Sequence, residues 1–195
     1  MSTSPPPPRN RGLVPRDIAL IALFAALIAV LSMTLAVPIG PVPITLQTLG
    51  VMLAASLLGP TRGPLAVLTF LLLVAVGLPL LPGGRGGLAP FAGVTGGYLI
   101  GWVAGAFVIG LLTARMLPRY RFWWGLLCNA VGGIGVVYLV GVPWSAVVTG
   151  DTSLAALLGF AVFLPGDIAK AAIASAVAAG VFRAYPVPPA GRPTA

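Results

Sequence analysis

The only lysine of this 195-residue chain lies three positions after one of its three acidic residues. These two residues are Asp167 and Lys170, in the stretch FLPGDIAK at 163–170, directly before an apolar run at 171–181. If that run is helical, residues three apart share one face of the helix. Pro165 suits a first helical turn, and Asp167 then lies near the positive end of the helix dipole. A carboxylate beside an ammonium group can bind a polar ligand through charge-assisted hydrogen bonds.

The surroundings of this pair are unusually apolar. The chain is 58% hydrophobic and only 7% charged, whereas a soluble domain carries about 25% charged residues. This composition predicts an integral membrane protein, long enough for about six helices of the ~20 residues needed to cross a bilayer. An ionisable side chain inside a membrane helix costs about 2.5–3.5 kcal/mol on insertion scales and by default indicates function. The alternative is a salt bridge between Asp167 and Lys170 that only holds helices together.

Residue types that are missing exclude several classes of chemistry. There is no histidine, and a single cysteine cannot form an intramolecular disulfide. We therefore expect no metal site built on His or Cys, and no Ser–His or Cys–His catalytic arrangement. The glycine-rich segment at 82–98 lacks the GxxxxGK[ST] pattern, and no other stretch supplies it, so we expect no Walker-type ATP site. These absences disfavour an enzyme, and we expect no cofactor.

Apolar runs separated by proline, glycine and arginine predict six membrane spans. The spans are expected at 17–37, 44–58, 65–81, 96–114, 122–140 and 165–182. Proline and glycine should keep the intervening connectors out of helices. These connectors include 38–43, 59–64, 82–95 and 141–153. The apolar stretch at 154–163 is about half a membrane thick, so we expect it to cap the bundle or to re-enter it.

The fold class is therefore an all-α integral membrane protein, a bundle of six transmembrane helices. The membrane domain is expected to cover residues 17–184. Residues 1–16 contain four consecutive prolines and three arginines, which predicts a disordered basic arm. Residues 185–195 form a proline-rich tail.

The distribution of arginine predicts how the bundle is oriented. The net charge of +8 could suggest a nucleic-acid partner, but the arginines fall in the gaps between apolar runs, so we expect none. With the N-terminus inside and six alternating spans, nine of the ten arginines are cytoplasmic, whereas Arg85 and Asp151 are outside. This satisfies the positive-inside rule, so both termini are expected in the cytoplasm.

With this orientation, polar residues that are distant in sequence meet at the outer side of the membrane. They lie at the outer ends of the second, fourth and sixth spans and in one outer connector. We expect them to form a pocket that captures a small ligand with hydrogen-bonding groups and an anion. The residues are Thr45, Gln47, Arg85, Thr95, Tyr98, Asp167 and Lys170. For Gln47 the alternative is a hydrogen bond between helices, and for the segment around Arg85 it is a flexible loop.

Small side chains line one face of the first span. Ala22, Ala25, Ala26 and Ala29 recur at i, i+3, i+4 and i+7, which places them on one face of a helix. Such a face lets another helix approach closely in lipid. Ordinary alanine-rich packing within the same bundle explains the pattern equally well, and the sequence leaves both interpretations open.

Four segments of the chain resemble the BioY family, the biotin-specific membrane S components of energy-coupling factor (ECF) transporters. The segments are 22–29, PVPITLQTLG at 41–50, TGGYLIG at 95–101 and LPGDIAK at 164–170. The second and fourth are the most specific, and the resemblance extends over about residues 17–184. Val94 is a departure, since the family often has proline before the Thr-Gly-Gly-Tyr sequence.

The resemblance implies a six-helix S-component fold with a high-affinity biotin pocket near the outer face. It implies two kinds of partner, a transmembrane coupling (T) subunit on which the alanine face docks and a pair of cytoplasmic ATPases. In such a pocket Asp167 accepts from the ureido N–H groups, and Lys170 donates to the ureido carbonyl or keeps Asp167 ionised. Arg85 suits the carboxylate of biotin, because a guanidinium group binds a carboxylate bidentately.

Other functions remain open at this point. An S component for a different vitamin would share the bundle, and the sequence around Asp167 would be the distinguishing feature. An intramembrane enzyme is disfavoured by the absence of histidine and the scarcity of acids. A purely structural subunit would be excluded by ligand binding to the purified protein. In all cases we expect a multi-pass protein of the prokaryotic cytoplasmic membrane, the inner membrane where a cell has two.

Overall fold

The computed structural model describes residues 13–34, 36–39, 42–152 and 161–185. Within these residues, five helices are long and apolar enough to cross a membrane. The secondary structure, in chain order, is α1 (Pro15–Thr34), β1 (Ala36–Ile39), β2 (Val42–Thr45), α2 (Gln47–Ala75), α3 (Ala89–Ala92), α4 (Gly96–Met116), α5 (Phe122–Ala130), a π-helical turn (Val131–Val136), α6 (Val137–Thr149) and α7 (Leu164–Ala184). The segments α5, the π turn and α6 form one continuous span, Phe122–Thr149.

Helix α2 folds back on itself and thereby supplies two of the six predicted apolar segments. Gly59 has φ 80° and ψ −170°, a left-handed conformation that ends the first half of the helix and favours glycine. A methyl group on Gly63 would lie only 2.8 Å from the Cα atom of Ala55, although eight residues of a straight helix span about 12 Å. The two halves therefore lie side by side, which confirms the turn predicted at 59–64.

The centre of the bundle is formed by α1, α2 and α4. Ile28, Met52, Phe70 and Ile109 are fully buried there. Close approach depends on small residues, as expected in lipid. A methyl group on Gly110 would lie 2.5 Å from the carbonyl carbon of Gly59, so α4 packs directly against the turn of α2.

An ion pair joins two elements at the end of the bundle where α1 begins. Asp17, near the start of α1, pairs with Arg62 in the turn of α2, with 3.1 Å between Oδ1 and Nε. One of the three acidic residues of the chain is therefore committed to a structural contact. The first residues of α2, α4 and α7 lie at the opposite end.

The first predicted span is too long at its C-terminal end. Helix α1 stops at Thr34, and Ala36–Ile39 pairs antiparallel with Val42–Thr45. The connector 38–43 is non-helical as predicted in its described part, but the β-hairpin was not foreseen. Proline in both strands normally argues against pairing, yet it is tolerated here because each strand of a two-stranded ribbon is an edge.

Two further boundaries differ from the prediction. The third span ends at Ala75 rather than at 81, because Gly77 adopts φ 106° and the chain turns into a loop closed by a bridge between Leu81 and Arg85. The fifth span continues to Thr149, so the predicted broken connector 141–153 is largely helical. Pro143 removes a single donor, and a helix in lipid keeps the rest of its hydrogen bonds because no water competes for them.

The prediction for 154–163 falls mostly on residues outside those that the structure describes, as does most of the arm predicted at 1–16 and of the tail predicted at 185–195. Helix α1 begins at Pro15, so the last two residues of the predicted arm are helical. Helix α7 confirms the sequence analysis at its start. Pro165 lies in its first turn, and Asp167 is the acidic residue of that turn.

Candidate functional site

A cavity of about 110 Å³ lies at the end of the bundle where α2, α4 and α7 begin. Its lining comes from β2, the first turn of α2, the loop after α2, α4, the π turn, α6 and α7. All seven polar residues that the sequence predicted to share a pocket line this one cavity. They are Thr45, Gln47, Arg85, Thr95, Tyr98, Asp167 and Lys170.

Asp167 and Lys170 form a buried ion pair in the wall of the cavity. Lys170 Nζ donates to Asp167 Oδ1 at 2.9 Å, and the two side chains are 9% and 8% exposed. Their spacing of one helical turn produces this contact, as the sequence indicated. A buried pair of this kind holds both charges in place, but it still has hydrogen-bonding capacity because an ammonium group has three donors and a carboxylate about four acceptor positions.

Two hydroxyl groups from other helices also bind Asp167. Tyr138 of α6 donates its hydroxyl to Oδ2 at 2.9 Å, and Thr48 of α2 donates to Oδ1 at 3.4 Å. Three helices therefore converge on one carboxylate. These donors fix the orientation of the carboxylate in the wall of the cavity.

Gln47 takes part in a separate hydrogen-bonded chain beside the cavity. Its Nε2 donates to Ser32 of α1, and its Oε1 accepts from Thr45 at 2.9 Å. Ser32 in turn donates to the carbonyl of Leu80. The alternative considered for Gln47, a hydrogen bond between helices, is thus present in the structure, although Gln47 also lines the cavity.

Arg85 reaches the cavity from the loop that follows α2. The side chain is exposed, and its Nε donates to the carbonyl of Pro82 at 3.1 Å. The bridge between Leu81 and Arg85 closes this short loop. The backbone around Arg85 is therefore ordered by local hydrogen bonds, and its guanidinium group is presented at the edge of the cavity.

Apolar side chains form the rest of the wall. Trp102 and Leu99 of α4 are buried, and Trp102 packs against Phe70 with ring centroids 6.5 Å apart. Tyr98 meets Tyr138 edge to face, with centroids 5.8 Å apart and an interplanar angle of 89°. A ligand with an apolar body and polar ends would match such a lining.

Nine lining residues were not among the predicted site residues, and three of these bear on the polar contacts and the backbone geometry of the site. Tyr138 and Gly133 belong to the fifth span, which carried no predicted site residue, and Thr48 follows Gln47 directly. The signal for Thr48 was present, because polar residues cluster at the start of that span. Tyr138 gave only a weak signal as a single polar aromatic residue in an apolar run, and no pattern predicted the π turn that contains Gly133.

The alanine stripe of α1 is divided between the interior and the surface of the bundle. Ala25 is 2% exposed and belongs to the hydrophobic core, so it is not accessible to another subunit. Its inclusion in the partner-binding face was therefore wrong, because helix α2 covers that side of α1. Ala22 and Ala26 are exposed and Ala29 is partly exposed.

Comparison with known proteins assigns the chain to a family. The family model of the BioY family matches residues 4–187. The chain belongs to the BioY family. The family indicated by the four sequence segments is thereby confirmed, together with a multi-pass membrane location and a role other than that of an enzyme.

Individual BioY proteins are similar over nearly their whole length. The biotin transporter BioY of Rhizobium etli is 46% identical over 184 residues, covering 90% of this chain and 97% of the relative. The biotin transporter BioY of Rhodobacter capsulatus is 45% identical, covering 84% and 91%. A crystal structure of the S-component for biotin from an ECF-type ABC transporter matches with a TM-score of 0.82 and 32% identity, covering 90% of this chain and all of that one. The S-component fold predicted from the sequence is confirmed.

Proposed function

We propose that this BioY-family chain captures biotin as the substrate-binding S component of an ECF-type vitamin transporter. The observation that carries the proposal is the cavity in which Asp167, Lys170 and Arg85 meet apolar walls within a membrane bundle. The similar structure is an S-component for biotin, and two relatives that are 46% and 45% identical are biotin transporters. An S component for another vitamin is the alternative, and the binding experiment below separates the two.

The chemistry of biotin matches the groups that line the cavity. Biotin has two ureido N–H donors, one strong carbonyl acceptor, an apolar ring system and a carboxylate. Asp167 accepts from a ureido N–H, and Lys170 has further N–H donors for the ureido carbonyl. Trp102 and Leu99 supply apolar surface for the rings, and Arg85 binds the carboxylate. Thr45, Thr95 and Tyr98 line the same cavity and complete its polar surface.

Uptake requires partners in this proposal. A transmembrane T subunit docks on the exposed part of the alanine face, Ala22, Ala26 and Ala29. Cytoplasmic ATPase subunits then drive the transport, since the chain itself carries no Walker motif. Both termini lie in the cytoplasm and the cavity opens to the outside, as the positive-inside distribution of arginine favours.

Equilibrium binding of radiolabelled biotin to the detergent-purified chain tests the proposal. We expect saturable binding of one biotin per chain that excess unlabelled biotin displaces and that thiamine, riboflavin or folate does not. Displacement by another vitamin at lower concentration than biotin would assign that vitamin instead. The absence of any saturable binding by folded protein would refute ligand capture altogether.

Replacing Arg85 by alanine should weaken the binding of biotin by about tenfold, because a charge-assisted hydrogen bond to the carboxylate is lost. The same substitution should weaken the binding of biotin amide, which has no carboxylate, by less than about twofold. The measurement is the Kd of each ligand for the parent and the variant. Arg119→Ala, in the segment between α4 and α5 far from the cavity, is the matched control and should change neither Kd. Equal losses for acid and amide would show that Arg85 only orders its loop.

A further inference from the structure

The hydroxyl group of Tyr138 is placed against Asp167 by an irregular stretch of helix. The turn Val131–Val136 immediately before α6 is π-helical. In such a turn the hydrogen bonds run from i to i+5, so residues five apart come to the same face. Gly133 and Tyr138 are five apart, and both line the cavity. In a regular α-helix they would lie about 140° apart around the axis, so Tyr138 would not face the cavity with Gly133.

Two glycines of this π turn let neighbouring helices pack closely against it. A methyl group on Gly132 would lie 2.5 Å from Cγ1 of Ile109 in α4, and one on Gly133 would lie 2.4 Å from Cε of Met52 in α2. The bulge is therefore held between two helices. Inserted turns of this type are frequent at functional sites, and here the turn determines which residue of α6 reaches Asp167.

The two carboxylate oxygen atoms of Asp167 accept different numbers of hydrogen bonds. In the described part of the chain, Oδ1 accepts from Lys170 and Thr48, whereas Oδ2 accepts from Tyr138. A carboxylate has about four acceptor positions, two on each oxygen. One position therefore remains, on Oδ2 next to the phenolic oxygen of Tyr138.

We propose that Tyr138 is a positioning residue that holds Asp167 so that Oδ2 accepts one N–H of a cyclic urea and not the other. This inference rests on the proposed function, since it concerns how that site recognises biotin. Tyr138 acts through Asp167: its hydroxyl fixes the orientation of the carboxylate and occupies the second position on Oδ2. The site thereby distinguishes the two ureido nitrogens of its ligand.

A double-mutant cycle on biotin binding tests whether Tyr138 acts through Asp167. Tyr138→Phe should raise the Kd about tenfold in the parent, equivalent to about 1.4 kcal/mol. In an Asp167→Ala background the same change should raise it by less than about twofold, because residues that act as a unit are not additive. Tyr120→Phe removes a tyrosine hydroxyl outside the cavity and should change the Kd in neither background. Equal losses in the two backgrounds would overturn the proposal.

A second measurement tests the positioning role of Tyr138 if Asp167→Ala binds biotin too weakly for the double-mutant cycle. The probes are the two biotin derivatives methylated on one or the other ureido nitrogen. For the parent we expect their Kd values to differ at least about tenfold, since one N–H alone meets Oδ2. In Tyr138→Phe this ratio should fall at least threefold, a change that steric effects of the methyl group cannot produce because they are common to both proteins. An unchanged ratio would refute the positioning role.

These results separate the inference from the function on which it rests. If the folded parent does not bind biotin, the proposed function fails. If the parent binds biotin while the cycle is additive or the methyl-biotin ratio is unchanged, only the role of Tyr138 fails. Thermal unfolding in detergent confirms that each variant is folded before its Kd is compared.

Discussion

Asp167→Asn and Lys170→Ala are each expected to raise the Kd for biotin at least about tenfold. An unpaired polar group left in a desolvated site costs about 1–3 kcal/mol, and more when it is charged. Asp167→Asn leaves Lys170 without the anion that it contacts at 2.9 Å. Lys170→Ala leaves the carboxylate with only the hydroxyls of Thr48 and Tyr138. The measurement is the Kd of purified protein, with the yield of membrane-inserted protein recorded alongside.

Insertion and folding provide the control for this prediction. Both variants should still insert, because removing a charge from a membrane segment favours insertion. Asp151→Asn removes a different, exposed carboxylate outside the cavity and should leave the Kd unchanged. If the two cavity variants bind biotin as tightly as the parent, the ion pair only holds α7 together with its neighbours. Breaking it would then appear as a lower unfolding temperature alone.

Ala22→Trp or Ala26→Trp should abolish co-purification with the coupling subunit and stop ATP-dependent uptake, while the Kd of the isolated chain for biotin stays within about twofold. Close approach of helices in lipid relies on van der Waals packing between small residues, which a bulky side chain prevents. Both positions are exposed on α1 and line no part of the cavity. The measurements are pull-down with a tagged coupling subunit, uptake in cells and binding by the isolated protein.

Two further positions on α1 serve as controls for this surface. Leu23 is exposed and lies about 100° around the helix from Ala22, so Leu23→Trp is the control for Ala22→Trp and should leave co-purification intact. Ala25→Trp should unfold the chain, because Ala25 is 2% exposed in the core. Unfolding and loss of biotin binding in Ala22→Trp or Ala26→Trp would show that these positions also pack inside the bundle. Retained co-purification would exclude this face as the docking surface.

Much of the fold and the site could be predicted because lipid imposes simple rules on sequence. A segment that crosses a bilayer must satisfy its own backbone hydrogen bonds, so long apolar runs become helices. Charge is costly there, so the scarce polar residues near the ends of the apolar segments indicate a common site. For the same reason the seven predicted residues line one cavity, and the i, i+3 spacing of Asp167 and Lys170 produced the ion pair.

Only the tertiary structure decided which contacts these residues make. Two glycines of the π turn that precedes Tyr138 pack closely against Ile109 and Met52, residues that lie in other helices. Local sequence does not specify such packing, because a π turn and a regular turn differ by one residue of register and neighbouring side chains select between them. The hairpin Ala36–Ile39 with Val42–Thr45 likewise depends on pairing rather than on local preference.

The alanine stripe of α1 shows most simply what the sequence determines and what only the packing of helices determines. The sequence by itself determined that four methyl side chains share one face of α1, since 3.6 residues make one helical turn. It did not determine what that face contacts, because the rotation of a helix about its own axis is set by its neighbours. The packing of α2 against α1 buries Ala25 and leaves Ala22 and Ala26 exposed. The surface available to a partner is therefore narrower than the stripe, because Ala25 is covered by the rest of the bundle.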